Sequence, residues 1–145
     1  MITDANLKLS AAQAVTVTAF STNTIDLGVA RDIGTGEDLK VHISVDVAAT
    51  AAGAATVNFQ LVTSANADLS SPTIIGQTDA IPKASLTVGT RLVLPIPPSI
   101  GGNGQRYVGI QYTVGTGPLT AGSFTAYVVK DVEDRKAYAS GFSVT

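Results

Sequence analysis

The chain has 145 residues, the usual size of one domain, and folding at that length buries about two-thirds of the surface that an extended chain exposes, so a core forms without covalent staples. It contains no cysteine, which excludes disulfides, thiolate metal sites and cysteine nucleophiles. With 9 basic and 11 acidic residues the formal net charge is only −2; no basic stripe supplies the phosphate neutralisation that nucleic-acid binding needs. Charged residues make up 14% of the chain, against about a quarter in an average soluble domain. Together with a mean hydropathy of +0.30, this favours a subunit that makes contacts with other protein. The start, Met1 to Ala5, lacks the charged and then apolar regions of a signal peptide, so export is not expected. No apolar run reaches the length of about 18 residues that a membrane-spanning helix requires.

Residues 1–14 have no steady period: Ile2, Leu7 and Leu9 stand among Asp4, Asn6, Lys8 and Ser10, which reads as an extended arm. Val15 to Phe20, β-branched on both faces, predicts a strand. A polar corner, Ser21-Thr22-Asn23-Thr24, leads into the short Ile25-Asp26-Leu27, closed by Gly28. Arg31 to Asp38 is a turn-rich, charged loop, either solvated or used for recognition through Arg31, Asp32 and Glu37.

Leu39 to Val47 is the cleanest strand: Leu39, Val41, Ile43, Val45 and Val47 point inward, and Lys40, His42, Ser44 and Asp46 outward. An alanine-rich connection around Gly53 follows, and Thr56 to Thr63 alternates again, with Val57, Phe59 and Leu61 on one face. These two strands are expected to pair as antiparallel neighbours. After the polar loop 64–72 come a short strand at Thr73 to Thr78 and another at Arg91 to Ile96, where Pro95 marks an edge or a strand end.

Arg106 to Val114 and Ser123 to Val129 read as two strands joined by the breaker segment Gly115 to Gly122, a hairpin whose second strand is largely apolar on both faces and is therefore expected near the middle of a sheet or against a partner. Residues 131–145 resemble a second arm. The prediction is an all-β antiparallel sandwich of about eight strands over residues 15–130, jelly roll as the leading topology, flanked by arms at 1–14 and 131–145. An immunoglobulin-like sandwich is the alternative, without its Cys and Trp landmarks.

Nothing points to a reaction. His42, the sole histidine, lies on the polar face by alternation and has no second imidazole or thiolate to complete a zinc set. No Gly-x-Ser-x-Gly elbow occurs, and the glycine-rich pieces lack the lysine of a phosphate loop. Asp131, Glu133 and Asp134 do not have calcium-loop spacing, and Arg135 and Lys136 follow at once. No cofactor, metal or catalytic residue is expected.

Several stretches in order do resemble a known family. Ser21 to Gly28, Arg31 to Glu37, Gln105-Arg106-Tyr107, Gly117 to Gly122 and Lys130-Asp131-Val132 are similar to the capsid cement proteins typified by a Bordetella tailed phage. The resemblance implies a jelly-roll subunit on the outer surface of a virion. There it clamps adjacent capsomers of an HK97-type major capsid protein after expansion, as a homodimer over two-fold positions, with a trimer as the alternative. It supplies no active-site residues. On this reading Ile2, Leu7, Leu9, Tyr138, Phe142 and Val144 on the arms, with Arg31, Asp32 and Glu37, are expected to contact the shell or a sister subunit. The competing classes are a carbohydrate-binding module, with Tyr107, Tyr127 and Tyr138 as its candidates, and a hydrolase using His42.

Overall fold

Alternating apolar residues, broken by glycine, proline and short polar runs, fold here into strands with almost no helical content. The computed structural model describes residues 3–32, 38–97, 103–130 and 132. Among these are ten strands: β1 (Lys8–Ala14), β2 (Ala19–Phe20), β3 (Ile25–Asp26), β4 (Lys40–Thr50), β5 (Thr56–Ser64), β6 (Thr73–Gln77), β7 (Ile81–Pro82), β8 (Arg91–Pro95), β9 (Tyr107–Gly115) and β10 (Ala121–Val129). Two 3-10 turns, Ala5–Leu7 and Lys83–Ser85, accompany them.

All pairings are antiparallel and form two sheets, one ordered β1-β10-β4-β8 and the other β2-β9-β5-β6, with β3 also on β9 and β7 also on β5. If β2 and β3 count as one broken strand and β6 and β7 as another, eight positions result. The chain then crosses between sheets at most connections, as a jelly roll does.

Two expected pairings are therefore corrected. The stretch 39–47 does not pair with 56–63, because β4 and β5 lie in opposite sheets; β4 sits between β10 and β8, and β5 between β9 and β6. Nor are β9 and β10 a hairpin, since the segment around Gly117 and Pro118 carries the chain over the end of the sandwich. Alternation fixes which side chains face inward but not which strand lies alongside, so neighbour pairing was only the commoner arrangement. The mid-sheet position expected for β10 is found, between β1 and β4, and β8 with Pro95 is an edge strand.

The core lies between the sheets. Val41, Ile43, Val45, Phe124, Ala126 and Val128 line it from one side, and Val57, Phe59, Leu61, Val108, Ile110 and Tyr112 from the other. At its centre the Phe59 ring meets Phe124 edge-on at 5.1 Å and Tyr112 edge-on at 5.8 Å, while Tyr112 stacks on Phe124 at 5.6 Å. The Tyr112 hydroxyl lies 2.6 Å from Ser10 Oγ, which donates to the Phe124 carbonyl at 3.2 Å. One polar chain thus crosses an apolar interior, tying β9 of one sheet to β1 and β10 of the other.

The expected arm over residues 1–14 is corrected in part. From Lys8 onward it is an edge strand, and Leu9 is fully buried in the core. Two register shifts against β10, with Ala12 at φ 43°, break the period of two, so Leu9 and Ser10 are both buried and the strand shows no alternation in sequence. The segment 15–20, expected as a strand, is one only at Ala19–Phe20. Along the outer side of β1, the Asn23 amide N–H donates to Leu9 O and its side chain to Lys8 O. The Gln13 side chain bonds to Phe20 O and receives Thr22 N–H.

His42 is also corrected: it is 5% exposed. Its cross-strand neighbours Tyr127 and Val93 flank it on the outer face, and polar alternation does not reveal that bulky neighbours close over a position. Val47, expected inward, is 49% exposed: the two register shifts that flank its partner Ser123 interrupt the alternation of β4 locally, and Ala49 returns to the core.

Candidate interaction surface at one end of the sandwich

Strand direction sets what each end of the sandwich displays. The starts of β1, β4 and β9 and the ends of β8 and β10 gather at one end, together with the 3-10 turn that precedes β1 and the segment around β3. Charge collects there too: Asp4, Lys8, Asp26, Arg31, Asp32, Asp38, Lys40, Arg106 and Lys130 all belong to these strand ends or the loops beside them. At the opposite end, residues 14–18 and 115–121 carry no charge, and Val17, 60% exposed, forms a shallow groove with Thr18, Val114, Gly117 and Pro118.

At the charged end Arg106 grips Asp26 with two parallel bonds, Nε to Oδ1 at 2.7 Å and Nη2 to Oδ2 at 2.8 Å. The Gly28 N–H adds a third donor to the same carboxylate at 2.7 Å. Hydrogen bonds from Arg106 and then from Gly28 hold the Asp26 carboxyl down at about 2, and the carboxylate in turn raises the Arg106 guanidinium. The same guanidinium lies over the Tyr107 ring, 5.1 Å from its centroid. The two partners sit on segments distant in sequence, β3 and the start of β9, and are brought together by the pairing of Asp26 with Tyr107. Sequence reading missed this pair, because no local pattern joins the two residues.

Arg31 and Asp32 are anchored against Gly104. A side chain at Gly104 would place its first carbon 2.2 Å from Arg31 O, so only glycine admits this approach. The Gly104 N–H donates to Asp32 Oδ1 at 3.2 Å. Arg31 is exposed and Asp32 half-buried.

Between the sheets at this end opens an apolar cleft of about 120 Å³. Leu7 reaches it from the 3-10 turn, Ile25 from β3 and Leu27 from just after it, Leu39 and Ile96 from the flanks of β4 and β8, and Val108 and Val128 from β9 and β10. Leu7, Ile25, Leu27 and Leu39 are only partly buried.

The residues expected to make contacts therefore divide. Leu7, Arg31 and Asp32 come to this one end, while Leu9 is withdrawn into the core. Ile2, Glu37, Tyr138, Phe142 and Val144, like Asp131, Glu133 and Asp134, lie outside the described residues. Among the described residues no three His, Cys, Asp or Glu side chains gather as a metal site would require. Guanidinium, carboxylate and aliphatic groups at one end provide ion pairs and hydrophobic contact.

Residues 9–128 match the model of the Bbp16 family. The chain belongs to the Bbp16 family. The name points to a Bordetella phage protein, and the match spans the jelly roll from the second residue of β1 to the penultimate residue of β10. Comparison with individually curated proteins finds no match.

Proposed function

We propose that this Bbp16-family protein is a capsid cement subunit of a phage virion, which binds the outer surface of an HK97-type shell and clamps adjacent capsomers without making or breaking covalent bonds. The observation that carries the reading is the gathering of Leu7, Arg31 and Asp32, with the Asp26 and Arg106 pair, at one end of a stiff jelly roll in a chain of this family. A clamp works by holding two bodies at a fixed spacing. Two sheets bolted through Phe59, Tyr112 and Phe124 supply the rigidity, and a mixed charged and apolar end supplies the grip. The proposal includes Tyr138, Phe142 and Val144 as further contacts with a neighbouring capsomer, which a homodimer would repeat symmetrically.

Purified protein mixed with expanded shells tests this directly. Sedimentation should show saturable decoration, and charge reversal at the exposed Arg31, Arg31→Glu, should weaken it while leaving the melting temperature nearly unchanged. Failure of the unmodified protein to bind expanded shells would overturn the proposal. A glycan-binding role is less favoured: the Tyr107 ring already carries Arg106 over it, and the Tyr127 ring carries Lys8 at 5.3 Å, so neither presents a bare platform to a sugar. A hydrolase built on His42 is disfavoured by the burial of that side chain.

A further inference from the structure

Asn103-Gly104 is the sole Asn-Gly step in the chain. It lies shortly before β9 at the charged end, with Asn103 exposed. Such a step carries an intrinsic reaction. The backbone nitrogen of the glycine, unobstructed by a side chain, attacks the asparagine Cγ; the N–Cγ bond forms, the Cγ–Nδ2 bond breaks, and the side-chain nitrogen leaves as ammonia, taking up a proton to replace the one that the glycine nitrogen gave up. Water then opens the resulting succinimide at either carbonyl, leaving aspartate or isoaspartate. Two contacts bear on the attacking nitrogen here. Its N–H donates to Asp32 Oδ1 at 3.2 Å. The glycine also sits so closely on residues 31 and 32 that a first side-chain carbon would lie 2.2 Å from Arg31 O and 2.6 Å from Asp32 N. We infer that Asn103-Gly104 is a latent deamidation site of the folded protein and that the Asp32 carboxylate is the latch that restrains it.

The restraint follows from what the nitrogen must become. It attacks as an anion, after losing its proton to hydroxide. A carboxylate that accepts the N–H stabilises the protonated form, and its negative charge opposes a second one beside it, so both effects hold the proton in place. Close packing on Arg31 O adds to this by resisting the rotation that ring closure requires. The same anion is the intermediate of base-catalysed hydrogen exchange, so exchange at the 104 amide and conversion of Asn103 share one gate, the release of Asp32. Conversion runs one way. It adds a negative charge next to the contact of Gly104 with Asp32, and the isoaspartate product lengthens the main chain by a methylene, which dislodges Gly104 from its seat. The chain thus carries a mark of its own age. This inference concerns the free subunit and does not rest on the cement reading.

Full-length protein incubated at mildly alkaline pH and then digested with trypsin releases residues 92–106, in which mass spectrometry counts the asparagine, aspartate and isoaspartate forms. Conversion in the folded parent should be several-fold slower than in a synthetic peptide of the same residues, to the extent that the 104 amide is protected from exchange. Asp32→Ala should speed conversion and exchange together, several-fold, and Asp32→Asn, which keeps an acceptor but not the charge, should fall between. Conversion in the parent as fast as in the free peptide would overturn the inference, as would an Asp32→Ala variant that converts no faster than the parent. Should Asp32→Ala fail to fold, by circular dichroism, the comparison of parent with peptide and with Asp32→Asn still decides. Shell decoration is a separate measurement, so either reading can fail alone.

Discussion

Replacing Tyr112 by phenylalanine removes one oxygen from the middle of the sandwich, and the structure gives the size and the pH dependence of the effect. At neutral pH the variant loses one buried hydrogen bond, a net cost of about 1 kcal/mol, while Ser10 Oγ keeps its bond to Phe124 O. Ser10→Ala should cost more, about 1 to 3 kcal/mol, because it strands the Tyr112 hydroxyl in an apolar core. The double variant should cost less than the two singles together. Burial, the larger influence, pushes the Tyr112 phenol from 10 up to about 12, against a smaller lowering by Ser10. A raised native value means that the folded state holds the proton more tightly than the unfolded chain. The stability this provides is complete below pH 10 and is lost as pH rises through 12, a loss of roughly 2 to 3 kcal/mol. Tyr112→Phe escapes that loss, so its stability curve, lower at pH 8, should cross the parent's near about pH 11. Urea unfolding of the four proteins at a series of pH values measures all of this. Parallel curves with no crossing, or a strictly additive double variant, would refute the assignment of Tyr112 and Ser10 as a coupled buried pair.

Gly109→Ala should destabilise the protein by about 1 to 3 kcal/mol in urea unfolding, since the added carbon would lie 2.4 Å from a methyl group of the fully buried Leu69 and 2.9 Å from Ser21 Oγ. Gly104→Ala should separate residues 31–32 from the start of β9 and speed hydrogen exchange at the position 104 amide, an outcome that an unchanged rate would contradict. For Asp26 the sign is that of a depressed carboxyl: its contribution is present above about pH 4, the ordinary aspartate value, and is lost as pH falls through about 2. Asp26→Asn should therefore flatten the acid limb of melting temperature against pH, and an unaltered limb would show the pair to be inert.

The parts of the fold legible in sequence are those governed by a period of two. Val41, Ile43 and Val45, then Val57, Phe59 and Leu61, then Val108, Ile110 and Tyr112 all face the core as alternation requires. Strand β1 escaped because its bulges bury Leu9 and Ser10 side by side and erase the pattern. Sheet membership was not legible, since Phe124 and Tyr112 look alike as inward aromatics although they come from opposite sheets. The same limit applies to the candidate surface. Arg31 and Asp32 stood out as a charged loop, but Gly104 beneath them and the Asp26 to Arg106 grip depend on contacts between residues 72 to 80 positions apart. His42 read as exposed because alternation places a polar residue on the outer face and gives no sign that the position there is 5% exposed.

The polar clasp that Asn23 and Gln13 make along β1 governs how copies can accumulate. Open-ended ribbons grow only when each molecule offers two receptive flanks, one to be recruited and one to recruit. In the sheet that contains β1 one flank is already spoken for, and the other is the five-residue β8, whose Pro95 has no amide hydrogen to give. Joining through that flank ends at a pair. Many copies can thus be made in one cell without seeding fibrils from this sheet.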